Sequence, residues 1–375
     1  MDWRLIESDA ALRQLLVQAA GCEAVIVDTE FMRRNTFYPQ VALLQLCFAS
    51  GPAADCAWLI DPLTIEDTSG LAALLGNADV LKVLHSASED LEVFQRWLGV
   101  LPQPLFDTQR AAALLDIGFG LGYAALVQEI CNVELPKGET RSDWLQRPLT
   151  DAQCEYAAQD VSWLLSVWHE LHPRATAQGK LEWILADGAD ATAAMGSGLS
   201  SYFQRIKTAW KLNSRQLGSL VALCEWREQT ARERDKPRSW IIDDKACLQL
   251  AQSSPDSYAA MRDTADLPPP ALRRYSEELL QVLAQQRAVP DNELPQRLPA
   301  PLNARQRDLL KKMKAQIREI AVSLESAPEV LLQGKDYELL LRDAIGETVV
   351  VPAHWQGWRQ QRVIEPLRRY LVDII

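Results

Sequence analysis

Four acidic residues and one tyrosine have the types and spacing for chemistry. Asp28-Thr29-Glu30 closes the apolar run Ala24–Val27, which reads as a buried strand. Residues two apart in a strand share a face, so both carboxylates project together from its end. Asp90, in His85-Ser86-Ala87-Ser88-Glu89-Asp90-Leu91, falls in the first turn of a helix just past another strand. Acids are favoured there by the helix macrodipole, and in parallel arrangements that edge of the sheet is where sites gather. Tyr156 and Asp160 are four apart on one helix face, with Ala157 and Ala158 small enough to let the helix lie close on a sheet. Carboxylates crowded together raise one another's pKa and stay ionised only with cations present. Oxygen-only donors favour Mg²⁺ or Mn²⁺ over zinc. Two such ions about 3.5–4 Å apart would stabilise the attacking and leaving oxygens of phosphodiester cleavage, with a tyrosine hydroxyl orienting the water. Each acid also has a plain reading as a solvated strand end or helix start. It is the set that points to a site.

These residues need a scaffold. Ala24–Val27, Val41–Phe48 and Ala57–Ile60 read as strands with short connections, and Val80–Leu84 and Leu105–Phe106 as strands separated by helices. Helices are expected at Leu71–Leu75, from about Ser88, after a cap at Asp107, at Tyr123–Cys131 and at Ala152–Leu171. The predicted architecture is α/β with a mixed sheet, three strands antiparallel and two parallel. Thr192–Ser200 is made mostly of small residues and reads as a linker; beyond it the strand signal nearly vanishes. Four prolines between Ala288 and Pro301 mark a second break. The division read from these breaks is 1–172, a connecting segment 173–202, a helical bundle 203–287, a Pro-rich linker 288–301 and a second bundle 302–375.

Charge divides the same way. The 375 residues carry −11, which taken whole argues against a polyanionic partner. Residues 1–200 hold 12 Lys/Arg against 27 Asp/Glu, a balance of −15, whereas 201–375 carry +4. The acidic half suits metals and the basic half could touch phosphates. Seven scattered cysteines, never spaced Cys-x-x-Cys, argue against zinc ribbons and a disulfide framework, so no disulfide-linked partner is expected and a reducing cytoplasm fits. The N-terminus lacks the pattern of a signal peptide, and no window approaches 18 uninterrupted apolar residues, so no membrane association is expected.

Asp28-Thr29-Glu30-Phe31, His85-x₄-Asp90-Leu91 and Tyr156-x₃-Asp160 resemble the three exonuclease motifs of the DEDD superfamily, in its tyrosine-bearing branch. The surroundings are closer still to the ribonuclease D family: Tyr38-Pro39-Gln40, Leu59-Ile60-Asp61-Pro62, Asp107-Thr108-Gln109, Arg141-Ser142-Asp143-Trp144 and Arg147-Pro148-Leu149. The similarity runs from about residue 3 to 172. It implies an RNase H-like fold and metal-dependent 3′→5′ hydrolysis releasing nucleoside 5′-monophosphates. Asp28, Glu30, Asp90 and Asp160 would be ligands of two divalent ions, Mg²⁺ or Mn²⁺, and Tyr156 would position or help deprotonate the water. The implied partner is RNA, in particular tRNA precursors with 3′ extensions, and the chain is expected to act as a monomer. His85, Lys137 and Arg141 are candidate substrate contacts, the last two as rare cations in an acidic half. Trp144 reads either as core or as a base-stacking ring.

Residues 203–240 hold nine Lys/Arg and four Asp/Glu, interleaved with Phe203, Trp210, Trp226 and Trp240, and resemble an HRDC domain. Residues 302–375 resemble a second, divergent one through length, helical pattern and position. Two other readings remain open: the same chemistry on DNA, and a non-catalytic RNA-binding adaptor.

Overall fold

The computed structural model describes residues 2–54, 56–136, 138–139, 142–195 and 202–375. Six strands form one mixed sheet: β1 (Asp2–Ile6), β2 (Ala24–Met32), β3 (Gln40–Phe48), β4 (Cys56–Ile60), β5 (Leu81–Leu84) and β6 (Leu105–Asp107), in the order β1-β4-β3-β2-β5-β6. β2, β3 and β4 are antiparallel neighbours, and β5 and β6 join β2 in parallel. The mixed sheet is therefore as expected, with one addition. Asp2–Ile6, which has no place among the expected strands, pairs in parallel with β4. Its polar-apolar alternation is short and carries two charges, and its pairing partner lies some fifty residues away.

Alternation sorts the sheet's two faces. From β2, Ala24 and Ile26 enter one core and Val25 and Val27 the other. The second core is closed by α1 (Asp9–Gln18), α2 (Ser69–Gly76) and α3 (Ser88–Trp97) through Leu12, Leu15, Leu71, Leu75, Leu91 and Phe94. The first is covered by α4 (Thr108–Leu114), α5 (Tyr123–Cys131) and the long α6 (Asp151–Ala177). α6 opens with a capping box between Thr150 and Gln153, which satisfies two end N–H groups reciprocally. It runs past Pro173, which cannot donate its backbone hydrogen bond, with Leu171 and Ala175 still buried on either side. α7 (Leu181–Met195) takes in Thr192–Met195, the first part of the expected linker, whose remainder lies outside the described residues. Alanine and methionine are good helix formers, and Thr192 is buried, accepting a hydrogen bond from Gln103 Nε2.

The chain divides into two compact units: Met1–Met32, Gln40–Met195 and Leu302–Ile375 in one, and Arg33–Pro39 and Gly196–Pro301 in the other. The second unit contains α8 (Ser214–Glu233), α9 (Arg238–Ile241), α10 (Asp244–Ser253), α11 (Tyr258–Thr264) and α12 (Pro269–Ala288), around a core that includes Leu220, Leu223, Cys247, Leu250, Met261 and Leu279. Arg33–Pro39 belongs to it through Asp235 Oδ1, which accepts from Phe37 N (2.9 Å) and Tyr38 N (3.0 Å).

Residues 302–375, read from the sequence as a module of their own, share the first unit's core. They form α13 (Ala304–Leu324), α14 (Pro328–Leu331), α15 (Gly334–Ala344) and α16 (Glu365–Ile374). Ala327 N donates to Ala113 O at 2.8 Å, and Lys180 Nζ donates to Leu114 O and Glu325 O. Asp187 is bridged by Arg110 and Arg359, and the Trp183 and Trp358 rings stack at 4.6 Å. None of these partners is adjacent in sequence, so no local pattern announces the docking.

Candidate active site

The alternation of β2 decides where each acid points. Asp28 and Glu30 continue the face of Ala24 and Ile26, toward α6, whereas Thr29 continues the face of Val25 and Val27, toward α3. α6 brings Asp160 to the first pair. Asp28, Glu30 and Asp160 each offer a carboxylate oxygen, and these atoms all lie within 4.8 Å of one another. Asp90 comes from the helix on the opposite face and is not part of that trio. It is 7% exposed, and its Oδ1 accepts from Thr29 Oγ1 at 2.5 Å. One strand thus aligns three groups, two as candidate ligands and the middle one as a tether for the fourth acid.

Among the described residues, the charges that act on these acids are mainly those of other acids. Burial, then Asp90, Asp160 and Glu30, push the Asp28 carboxyl well above its ordinary value. Burial and the charges of Asp160 and Asp90 raise Glu30 to about 9. Burial lifts Asp90 to about 7 despite the Thr29 hydrogen bond, and lifts Asp160 to about 7 despite a hydrogen bond from Tyr156. The strongest neighbouring charges on Asp28 and Glu30 are all carboxylates. A cluster of this kind is stable as anions only around a cation, and its oxygen donors fit a hard divalent ion.

Tyr156 lies one turn before Asp160 on α6, and burial followed by Asp160 and the other acids pushes its phenol well above the ordinary value. Its ring is seated between Trp144, at 6.0 Å between centroids, and Gly138, where a Cβ would come 1.9 Å from the ring's Cδ2. Only glycine fits at 138. Trp144 is 2% exposed, which settles it as core. His85 sits at the end of β5 with Nδ1 2.9 Å from Thr108 Oγ1 and its ring edge-on to Tyr123. The Thr108 hydroxyl also lies 3.2 Å from Leu84 O, and burial lowers the pKa of the imidazole. Lys137 and Arg141 lie outside the described residues.

Several supporting residues carry no signal in spacing alone. Asp107 caps α4 through Gln109 N and Arg110 N. The same carboxylate accepts Ser86 N (3.1 Å) and Ala87 N (3.0 Å), fixing the turn that launches α3 and Asp90. Ser86 adopts a φ of 58° there, a left-handed conformation that those hydrogen bonds hold. Tyr123 reaches the Gln159 and Asp160 carbonyls at 2.8 and 2.7 Å, pinning α6 where its acid points inward. Arg147 joins Asp61 to the carbonyls of Ala42 and Trp144 just ahead of α6. The cap at Asp107 is as expected, but its hold on Ser86 and Ala87, like the tasks of Asp61 and Arg147, is visible only in three dimensions. Gln45, opposite Asp28 in the β2–β3 register, is fully buried with neither amide atom partnered among the described residues.

Known proteins match this arrangement. A 3′-5′ exonuclease family model covers residues 3–175 and an HRDC domain model covers 216–283. Ribonuclease D of Pseudomonas paraeruginosa is 39% identical over 96% of both chains, and ribonuclease D of Escherichia coli is 34% identical over 100% of this chain and 99% of its own. This chain belongs to the ribonuclease D family. The crystal structure of E. coli RNase D, described as an exoribonuclease involved in structured RNA processing, superposes with a TM-score of 0.89 at 33% identity over the whole of both chains. The chain is accordingly a hydrolase, a 3′→5′ exoribonuclease of that family, with an exonuclease domain that implies divalent metal. No helix among the described residues is long and apolar enough to cross a membrane.

Proposed function

We propose that the chain trims RNA from the 3′ end one nucleotide at a time, releasing nucleoside 5′-monophosphates, and that its substrates are tRNA precursors with 3′ extensions. The observation that carries the reading is the convergence of Asp28, Glu30 and Asp160, from two separate elements, to within 4.8 Å. Asp28, Glu30, Asp90 and Asp160 would hold two divalent ions, Mg²⁺ or Mn²⁺. Bound there, the cations supply the positive charge that stabilises attacking and leaving oxygens in phosphodiester cleavage.

The chain's own groups do the orienting. The Tyr156 hydroxyl donates to Asp160, which leaves its oxygen lone pairs to accept from the attacking water and aim it. Glu30, on the same face, accepts a hydrogen bond from the terminal 3′ hydroxyl. Thr29 and Asp107 hold Asp90 in place, and Tyr123 holds Asp160. Lys137 and Arg141 meet phosphate. The substrate class follows the structured-RNA processing described for the E. coli relative.

The test is incubation of the purified protein with a 5′-labelled, 3′-extended tRNA and either metal. Laddering from the 3′ end with mononucleotide release, abolished by a chelator, is expected. Asp28→Asn is expected to fold and to lose turnover. Internal fragments, or normal turnover in Asp28→Asn, would count against the reading.

A further inference from the structure

One polar side chain next to the acids serves no evident structural purpose. Gln45 is the one amide in the otherwise apolar run Val41–Phe48 of β3, and it is fully buried. It shares the face of Leu43 and Cys47, which belong to the core covered by α6. Its neighbours on that face of the sheet are Leu43 and Cys47 along β3, Leu59 across β4 and Asp28 across β2. Three of them are apolar, which leaves Asp28. Neither Nε2 nor Oε1 of Gln45 has a hydrogen-bond partner among the described residues. An unpaired amide in an apolar core is unfavourable, so packing does not account for glutamine at this place.

The acids supply the complement. Asp90 accepts a side-chain hydrogen bond from Thr29, and Asp160 accepts one from Tyr156. Asp28 has no such side-chain donor among the described residues, only the backbone N–H of Thr29. Directly opposed residues of antiparallel strands carry Cβ atoms about 4.5–5.5 Å apart, a gap that a glutamine side chain spans. A carboxylate that holds a cation still has lone pairs to satisfy, and a donor on them fixes its orientation. We propose that Gln45 is a positioning residue for Asp28: its Nε2 donates to the Asp28 carboxylate and holds it in the orientation that takes a divalent ion. An amide suits the task because it donates without carrying charge. A lysine or arginine here would neutralise Asp28 and compete with the cation. The inference rests on the reading that Asp28 is a metal ligand.

The experiment compares the full-length wild type with Gln45→Met, which keeps the length and flexibility of the side chain but loses the amide. Gln45→Leu serves as a second, shorter apolar replacement. Mn²⁺ is titrated into chelator-stripped protein and followed by calorimetry, with no RNA present. Both variants are expected to bind Mn²⁺ about tenfold or more weakly. Their melting temperatures in chelator are expected to equal or exceed that of the wild type, because a buried unpaired amide has been removed. The rise in melting temperature on adding Mn²⁺ should shrink accordingly. With RNA present, half-maximal activity should move to higher Mn²⁺ by a similar factor, with KM for RNA little changed. A purely structural glutamine predicts the reverse, a lower melting temperature in chelator with Mn²⁺ affinity unaltered, and that result would overturn the assignment. If the wild type binds Mn²⁺ and Asp28→Asn does not, while Gln45→Met binds normally, only the role of Gln45 is wrong. If the wild type takes up no Mn²⁺, the reading of the site itself fails, and the inference with it.

Discussion

Two buried carboxylate settings, one in each unit, show opposite chemistry from the same functional group. In the second unit Glu228 is 3% exposed, and burial alone would raise its pKa, yet it is held below the ordinary value. Hydrogen bonds and charge from Arg238 and Arg232 outweigh burial there. In the first unit, Asp28, Glu30, Asp90 and Asp160 are raised by burial, and the neighbours acting most strongly on Asp28 and Glu30 are further acids. Overall charge follows suit: the first unit carries −15 and the second +4. A buried acid that serves the fold is paired by the chain, whereas these four have no arginine or lysine partner among the described residues, as the proposed metal site requires. That contrast separates the structural carboxylate from the proposed ligands without appeal to any relative.

Four changes probe it, the first expected to act most strongly. Tyr156→Phe keeps the ring in its seat beside Gly138 but removes the hydroxyl from Asp160. A fall in kcat of about a hundredfold or more is expected, with KM little changed, by steady-state kinetics on a labelled RNA. An unaltered kcat would remove the tyrosine from the mechanism. Glu228→Gln strips the charge from a pair that the fold uses, leaving two guanidinium groups around a neutral amide. It should cost about 2–3 kcal/mol, less than a fully buried pair because both arginines are partly exposed, with kcat unaltered. Denaturant unfolding reads it, and equal stability would erase the contrast drawn above.

Asp107→Ala releases Ser86, Ala87 and the first turn of α4 together. A loss of about 1–2 kcal/mol is expected, along with a several-fold rise in the metal concentration giving half-maximal activity, because Asp90 loses its anchored turn. A stability loss with unchanged metal dependence would reduce Asp107 to a plain helix cap. The smallest effect is on pH. Groups raised on folding stabilise the folded state below their ordinary carboxylate range and lose that contribution as pH rises through the folded values, here about 7 to 9. The melting temperature of chelated protein should therefore fall between about pH 5 and 9, and added Mg²⁺ should restore more at the alkaline end. A flat profile without metal would mean that the four acids do not strain the fold.

Much of the site was legible in one dimension. The period of two in β2 places Asp28 and Glu30 together, the spacing of four places Tyr156 with Asp160, and Asp107 announces itself as a cap. The helix Tyr123–Cys131 has the expected bounds. What escaped was whatever depends on partners far along the chain. β1 gains its place only by pairing with β4, and residues 302–375 dock through Ala113, Leu114 and Asp187. Thr29 is unremarkable in sequence because its role depends on α3 lying against the opposite face from α6.

By itself the sequence determined the cast: which acids, in which order, on which kinds of element, because strand and helix periodicity are local properties of the backbone. Only the tertiary structure decided that three of the acids share one face while the fourth is tethered across the strand by Thr29. It also decided which carboxylates receive an arginine and which do not. Burial and charge pairing are set by what packs from elsewhere in the chain, and they turn an acidic residue into either a strut or a candidate ligand.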